Sequence, residues 1–350
     1  MNSTELFYTA ARWSQLRKFI RQNKYSSVML LFDSNLSIPS LKKLKEELKP
    51  DVLIPFNASE KNKSLAAVQN IVSAAALSGA DRQSVLINAG GGTLCDTGAF
   101  AASVFKRGID FINLPTTLMA QCDAALGGKT ALNQAGIKNI IGTYHFPSAV
   151  LIEPGLLKSL DTRNLISGFA EIIKTAIIAD KKLFRQLSDT DISPNEFSRF
   201  AWKAAQLKLK IVNKDPYDKG ARQSLNFGHT IGHAMESFFM NDVSALLHGE
   251  AVAFGMVAET FIAFQKNLVS IKELNAVADL IQRHFNLPVL PESAFEQIIH
   301  FMSFDKKNYS GQLIFSLPFG IGSCLLKQTA SRDAVISALH FANFVFQHNQ

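Results

Sequence analysis

The strongest constraint on this chain is the make-up of its short apolar runs. Residues 27–32, 51–55, 84–89, 110–115 and 149–152 are apolar at nearly every position and show no polar alternation. A strand with one wet face alternates, whereas a strand covered on both faces does not. Stretches with helical periodicity lie between the runs, 64–77 being the clearest. This combination predicts an α/β fold with a mostly parallel sheet between two helical layers.

From about residue 164 the pattern changes. Residues 165–179, 195–212, 230–239, 249–265, 271–284 and 331–346 read as helices, and the strand signal shrinks to 313–317. The 350 residues therefore divide into an α/β N-terminal domain over 1–162 and an all-helical C-terminal domain over 163–350. With 47% hydrophobic and 19% charged residues, the chain can fill two cores and is not a disordered polymer.

The formal net charge is +7, but the basic residues are scattered, and the densest groups are Lys42-Lys43-Leu-Lys45 and Lys61-Asn-Lys63. Dispersed charge of this kind suits a small anionic substrate better than nucleic acid. Cys95, Cys122 and Cys324 are far apart and form no CxxC pair, which argues for a reducing compartment. No signal peptide and no apolar run of about 20 residues is evident, so the expected location is cytoplasmic, away from membranes.

Four segments carry chemistry. Gly90-Gly91-Gly92 follows a strand and precedes a helix, where bare backbone can approach a phosphate and the helix end adds positive charge. The spacing is not GxGxxG, so the common dinucleotide fingerprint is absent. Asp33-Ser34-Asn35 ends the first strand, where a carboxylate can bind a ribose hydroxyl or simply form an Asx turn. His229, His233 and His248 are three of only eight histidines and fall within 20 residues. The first two share a helix face at metal-ligand spacing, but Thr-Ile-Gly between them excludes HExxH. Two imidazoles and a carboxylate would leave a coordination position open, as catalytic zinc requires. Glu171 and Lys174 neighbour one another on a helix that is apolar nearly all round, so their charges need partners or a metal. Finally, Arg107, Lys129, Lys138, Lys208, Arg222 and Lys306, several of them in short turns, are the cations that a phosphate and a carboxylate would need.

Gly90-Gly-Gly…Asp96, Leu114-Pro-Thr-Thr-Leu, Asp123…Gly-Gly-Lys129-Thr, Lys138-Asn139-x-Ile-Gly, Gly168-Phe-Ala-Glu171-x-x-Lys174, Asn226-Phe-Gly-His229-Thr-x-Gly-His233 and Leu247-His248-Gly-Glu occur in this order. Together they closely resemble the 3-dehydroquinate synthases, over most of the chain. The resemblance implies an NAD-binding α/β domain, a helical metal-binding domain and a homodimer. It implies zinc or cobalt on Glu171, His229 and His248, which moves His233 to the substrate. It places NAD on Gly91, Gly92, Asp96, Thr116, Thr117 and Lys138, with Asp33, Asn35, Glu60 and Lys63 on the ribose side. Asp123, Lys129, Asn139, Lys174, Lys208 and His233 would serve catalysis. Arg222, Asn226 and Lys306 would hold substrate, with Arg107 reaching the phosphate of the neighbouring subunit's substrate.

The implied reaction turns 3-deoxy-arabino-heptulosonate 7-phosphate into 3-dehydroquinate and phosphate, with no net consumption of NAD. Departures from the family pattern occur at Cys95, at Gln134-Ala-Gly-Ile137, at Thr175-Ala176 and at Asp215-Pro216-Tyr-Asp218. Alternatives are a sister sugar-phosphate cyclase with another substrate and a non-catalytic paralogue.

Overall fold

The structure, a computed structural model, describes residues 4–8, 13–135, 137–190, 192–193, 196–240, 245–303 and 312–347. In chain order the elements begin β1 (Glu5–Tyr8), α1 (Trp13–Gln22), β2 (Val28–Asp33), α2 (Ile38–Leu48), β3 (Val52–Phe56), α3 (Leu65–Leu77), β4 (Val85–Gly90) and α4 (Gly92–Val104). They continue with β5 (Asp110–Pro115), α5 (Leu118–Cys122), β6 (Leu132–Gln134), β7 (Ile137–Ile141), β8 (Ala149–Ile152), α6 (Thr162–Ala179), α7 (Lys181–Asp189) and α8 (Ser198–Lys214). The last are α9 (His229–Phe238), α10 (His248–Gln265), α11 (Ile271–His284), α12 (Phe295–Ser303), β9 (Leu313–Pro318), β10 (Cys324–Ala330) and α13 (Arg332–Gln347). Two compact units form: Met1–Asp161 with Ser198–Pro216, and Thr162–Phe197 with Tyr217–Gln350. Helix α8 thus belongs to the first unit, although it lies beyond residue 162.

The first unit holds a six-stranded sheet in the order β1-β8-β5-β4-β2-β3, every neighbouring pair parallel. Its inner strands lack alternation because both faces are covered, whereas the edge strand β3 leaves Leu53 and Pro55 exposed. Met29, Leu31, Leu86 and Phe111 pack against Val68, Ile71 and Ala99 of α3 and α4. Leu30, Val85, Ile87 and Ile112 pack against Trp13, Leu16 and Leu44 of α1 and α2. Each such aliphatic side chain contributes roughly 1.5–3 kcal/mol by leaving water. From β2 the chain moves to β3 on one side, and from β4 to β5 on the other. The winding reverses between β2 and β4, whose C-terminal ends carry Asp33 and Gly90. In doubly wound sheets ligands bind outside the strand ends at this reversal.

The second unit is mostly helical, and here the expectation of an all-helical domain is corrected. Beyond the anticipated 313–317 strand, β10 pairs with β9 as an antiparallel hairpin, with a register shift between Leu325 and Gln328. Lys327 stands at φ 55° in that irregularity. A strand interrupted by a bulge loses the period-two pattern, which is why the sequence hides it. Among the described residues no helix is long and apolar enough to cross a membrane.

Candidate functional site

In the first unit, β4 ends at Gly90 and Gly91 caps α4 without a side-chain bond. A Cβ on Gly91 would lie 3.1 Å from Thr117 Cγ2, a tight contact that would oblige that side chain to give by a few tenths of an ångström. Thr116 N–H donates to Gly90 O at 2.9 Å, and Thr117 Oγ1 accepts from Ala120 N–H at 3.2 Å. Gly91, Gly92, Thr116 and Thr117 are thereby gathered at the N-terminus of a 13-residue helix, a position suited to an anion. Asp33 ends the adjacent β2, and its Oδ1 accepts Asn35 N–H at 2.9 Å, so the Asx turn is present.

A polar network lies beside this turn. Lys63, buried at 5% exposure, places Nζ 2.7 Å from Asp96 Oδ2 and donates to Asn139 Oδ1 at 2.6 Å. Asn133 Oδ1 accepts Asn139 N–H, and its Nδ2 donates to Glu60 Oε1 at 2.8 Å. Glu60 Oε2 accepts from Thr93 Oγ1 at 2.9 Å. Burial pushes the Asp96 carboxyl above its usual range, and the Lys63 charge pulls against that shift. Glu60, Lys63 and Asp96, expected at the cofactor, and Asn139, expected to serve catalysis, are therefore joined in one network. Asn139 takes φ 54°, a left-handed conformation that Asn tolerates better than most residues.

Lys208, buried in α8, lies 2.6 Å from Asp123 Oδ1 at the end of α5. Lys129 and Lys138 are exposed, on the bridge to Tyr144 and on β7 respectively. Arg107 is exposed in a turn where Lys106, Arg107 and Gly108 all have positive φ. The Cys95 departure falls on the buried side of α4, where burial pushes the thiol up and suppresses thiolate.

The second unit brings together Glu171, Lys174, His229 and His248. Glycines let the three helices that carry them meet at backbone distance. A Cβ on Gly249 would lie 1.8 Å from Ser167 O of α6, and one on Gly255 would lie 2.0 Å from Gly228 O, ahead of α9. Glu171 and Lys174 form an ion pair on α6, both about 1% exposed. Glu171 Oε1 is 3.3 Å from His248 Nε2 and 3.6 Å from His229 Nε2. One donor atom from each of these three residues lies within 4.8 Å of the others, the spacing of a metal centre. His233 is exposed one turn after His229, their ring centroids 5.2 Å apart. Arg222 is buried and Asn226 half-buried, both in the 3-10 turn Ala221–Asn226. Lys306 lies outside the described residues.

The protonation of this cluster tests whether it suits a cation. His229 Nδ1 faces Phe227 O at 3.0 Å, and a carbonyl can only accept, so Nδ1 carries the proton. Burial and the charges of Lys174, His233 and His248 hold His229 well below its usual pKa. Its bare Nε2 lone pair therefore faces a carboxylate oxygen. Burial opposes the charge on Glu171, yet Lys174 and His248 pull it well below the usual range, so it stays ionised. Burial also opposes the charge on His248, but Glu171 and Glu236 outweigh it and raise that imidazole to about 10. Two lone pairs, from Glu171 and His229, and a third nitrogen that becomes a donor once His248 gives up its Nε2 proton fit a divalent cation, with nitrogen and oxygen donors of the kind zinc takes.

Five supporting residues were not singled out as site residues from the sequence. Glu259 of α10, fully buried, accepts Gly228 N–H at 2.7 Å and Ile231 N–H at 3.0 Å, anchoring the first turn of α9. Arg163 grips Glu250 through two bonds of 2.7 Å, while Glu250 accepts Leu247 N–H and so fixes the start of α10 at His248. Glu236 bonds His248, and Asn133 bridges Glu60 and Asn139. The available signal was an acid inside an otherwise apolar helix, as at Glu259.

The family models described as 3-dehydroquinate synthase N-terminal and C-terminal match residues 53–167 and 168–308. The 3-dehydroquinate synthase of Parabacteroides distasonis is 34% identical over 334 residues, covering 94% of each chain. That of a Nitratiruptor species is 42% identical over 265 residues, 74% of each chain. Among solved structures, 2-epi-5-epi-valiolone synthase from Streptomyces hygroscopicus, with NAD+ and Zn2+ bound, superposes with TM-score 0.83 at 27% identity, covering 99% of this chain and 98% of that one. A 2-deoxy-scyllo-inosose synthase shares the fold with TM-score 0.83 at 24% identity, over 95% of each chain. With both halves of the family pattern matched in succession, the chain belongs to the 3-dehydroquinate synthase family.

Proposed function

We propose that this chain is a 3-dehydroquinate synthase, a lyase that converts 3-deoxy-arabino-heptulosonate 7-phosphate to 3-dehydroquinate and phosphate. The observation that carries the reading is the Glu171–His229–His248 cluster, one ligand atom from each lying within 4.8 Å of the others. The substrate assignment is supported by relatives at 34% and 42% identity that bear this name, against 27% and 24% for the two sister cyclases.

NAD and a divalent metal, when bound, supply hydride exchange and Lewis acidity. Glu171, His229 and His248 are the metal ligands in this reading. Gly91, Gly92, Thr116 and Thr117 take the pyrophosphate end of NAD, and Asp33, Asn35, Glu60, Lys63, Asp96 and Lys138 take the rest of the cofactor. Lys129, Lys208, Arg222 and Lys306 orient the substrate's carboxylate and phosphate by charge, with Asn139, Asn226 and His233 as hydrogen-bond partners. Lys174 and Asp123 hold protons close to the reacting hydroxyls. The α/β and helical parts act as cofactor and metal domains, dividing near residue 162. The enzyme works in the cytoplasm as a homodimer in which Arg107 serves the neighbouring subunit's phosphate.

The test is release of inorganic phosphate from the heptulosonate phosphate, with sedoheptulose 7-phosphate and glucose 6-phosphate as competitors, with and without a chelator. Chelator-sensitive release from the heptulosonate alone is expected, without steady build-up of NADH. Turnover of either competitor in its place would move the chain to a sister activity.

A further inference from the structure

His248 stands between two carboxylates. Its Nε2 faces Glu171 Oε1 at 3.3 Å and its Nδ1 faces Glu236 Oε2 at 3.2 Å. Glu236 lies seven residues after His229 on α9, two turns along the same face, so one helix supplies a metal-facing imidazole and the carboxylate behind the other imidazole. It is well covered, with a side chain 16% exposed.

We propose that Glu236 is a positioning residue for the metal centre: it holds the Nδ1 proton of His248, so that Nε2 presents its lone pair to the metal. The inference rests on the metal reading above. The two histidines are then held in the same tautomer by unlike partners, His229 by the neutral Phe227 carbonyl and His248 by a carboxylate. A carboxylate behind an imidazole fixes the ring and makes its free nitrogen a stronger donor. His233, Glu236 and His248 also lie close enough to be ligands themselves. For the same metal centre to remain filled, His248 would then have to give up both ring protons, which a neutral-pH imidazole resists. Accepting from Nδ1–H is the role compatible with Nε2 ligation.

The experiment is Zn2+ titration of the chelator-stripped full-length chain against a chromophoric chelator, for wild type, His229→Ala, Glu236→Ala and Glu236→Gln. One high-affinity Zn2+ per chain is expected in wild type, and its loss in His229→Ala. Glu236→Ala weakens binding about 10- to 100-fold. Glu236→Gln lies between Ala and wild type, because its amide oxygen accepts the same proton without the charge. That graded rescue separates positioning from general damage to the helix. Glu236→Ala binding within about twofold of wild type would overturn the proposal, measured against the change expected for such partners. Two zinc ions in wild type and one in Glu236→Ala would overturn it too, making Glu236 a ligand. Absence of stoichiometric zinc from wild type would instead refute the metal reading on which it stands.

Discussion

Lys63 Nζ lies 2.7 Å from Asp96 Oδ2 and donates also to Asn139 Oδ1, so one buried ammonium unites the glycine turn's helix with the β6–β7 hairpin. Removing it leaves Asp96 as a carboxylate that burial already pushes towards protonation. Lys63→Met is expected to cost about 3 kcal/mol of unfolding free energy, as for other broken buried pairs. The double variant Lys63→Met/Asp96→Asn should lose less than the sum of the singles. Urea unfolding measures both quantities, and strict additivity would deny the pairing.

Glu171 and Lys174 raise the same issue in the second unit, where both are about 1% exposed. Glu171→Gln leaves the Lys174 ammonium buried beside a neutral amide, at a cost of about 3 kcal/mol. It also removes the anionic ligand, so zinc binding and phosphate release should fall together while the far-ultraviolet circular dichroism is kept. Wild-type zinc stoichiometry in this variant would remove Glu171 from the metal centre.

Elements buried on both sides were legible because their composition reports burial directly. Strands β2, β4, β5 and β8 are such short apolar runs, while α11, which has one wet face, was legible through its helical period and spans Ile271–His284, the full expected stretch. Elements with few residues or a thin apolar stripe were not: β1 has four residues at the sheet edge, and α1 and α2 mix charge with that stripe. The metal cluster was legible in part, because clustered histidines are rare, yet spacing alone favoured His233. What placed Glu171 opposite His229 and His248 is tertiary: the glycines that let α6, α9 and α10 meet. Glu259 and Glu236 stayed hidden for the same reason, since each acts on a residue of another helix.

The protonation states predict how zinc binding depends on pH. At neutral pH, His248, raised to about 10, carries two protons, whereas His229 is neutral and Glu171 ionised. Ligation needs the Nε2 lone pair, so one proton leaves, and it comes from His248. Affinity should therefore rise roughly tenfold per pH unit from neutrality towards about pH 10. The metal-free protein should behave oppositely. A group whose folded pKa exceeds its ordinary 6.5 stabilises fully below that value and loses its contribution as pH rises through about 10. Calorimetric zinc titration in buffers of different ionisation enthalpy counts the protons, and release of none would contradict the assigned state of His248.

Gly255 sets the distance between the helices that carry the two histidines. A Cβ there would stand 2.0 Å from Gly228 O and 2.9 Å from Gly232 N, both backbone atoms that cannot rotate aside. Gly255→Ala must therefore push α9 away from α10, carrying His229 away from Glu171 and His248. Overpacking of this kind costs about 3 kcal/mol. Glu259, which reaches from α10 to Gly228 N–H and Ile231 N–H, would lengthen its bonds at the same time and leave a buried carboxylate poorly matched. Zinc affinity should then fall by more than stability alone explains, because ligation needs donor atoms in register and folding needs only burial. Urea unfolding of the metal-free variant, paired with zinc titration, separates the two effects. Wild-type zinc affinity in a destabilised Gly255→Ala chain would show that the α9–α10 contact does not set the ligand geometry.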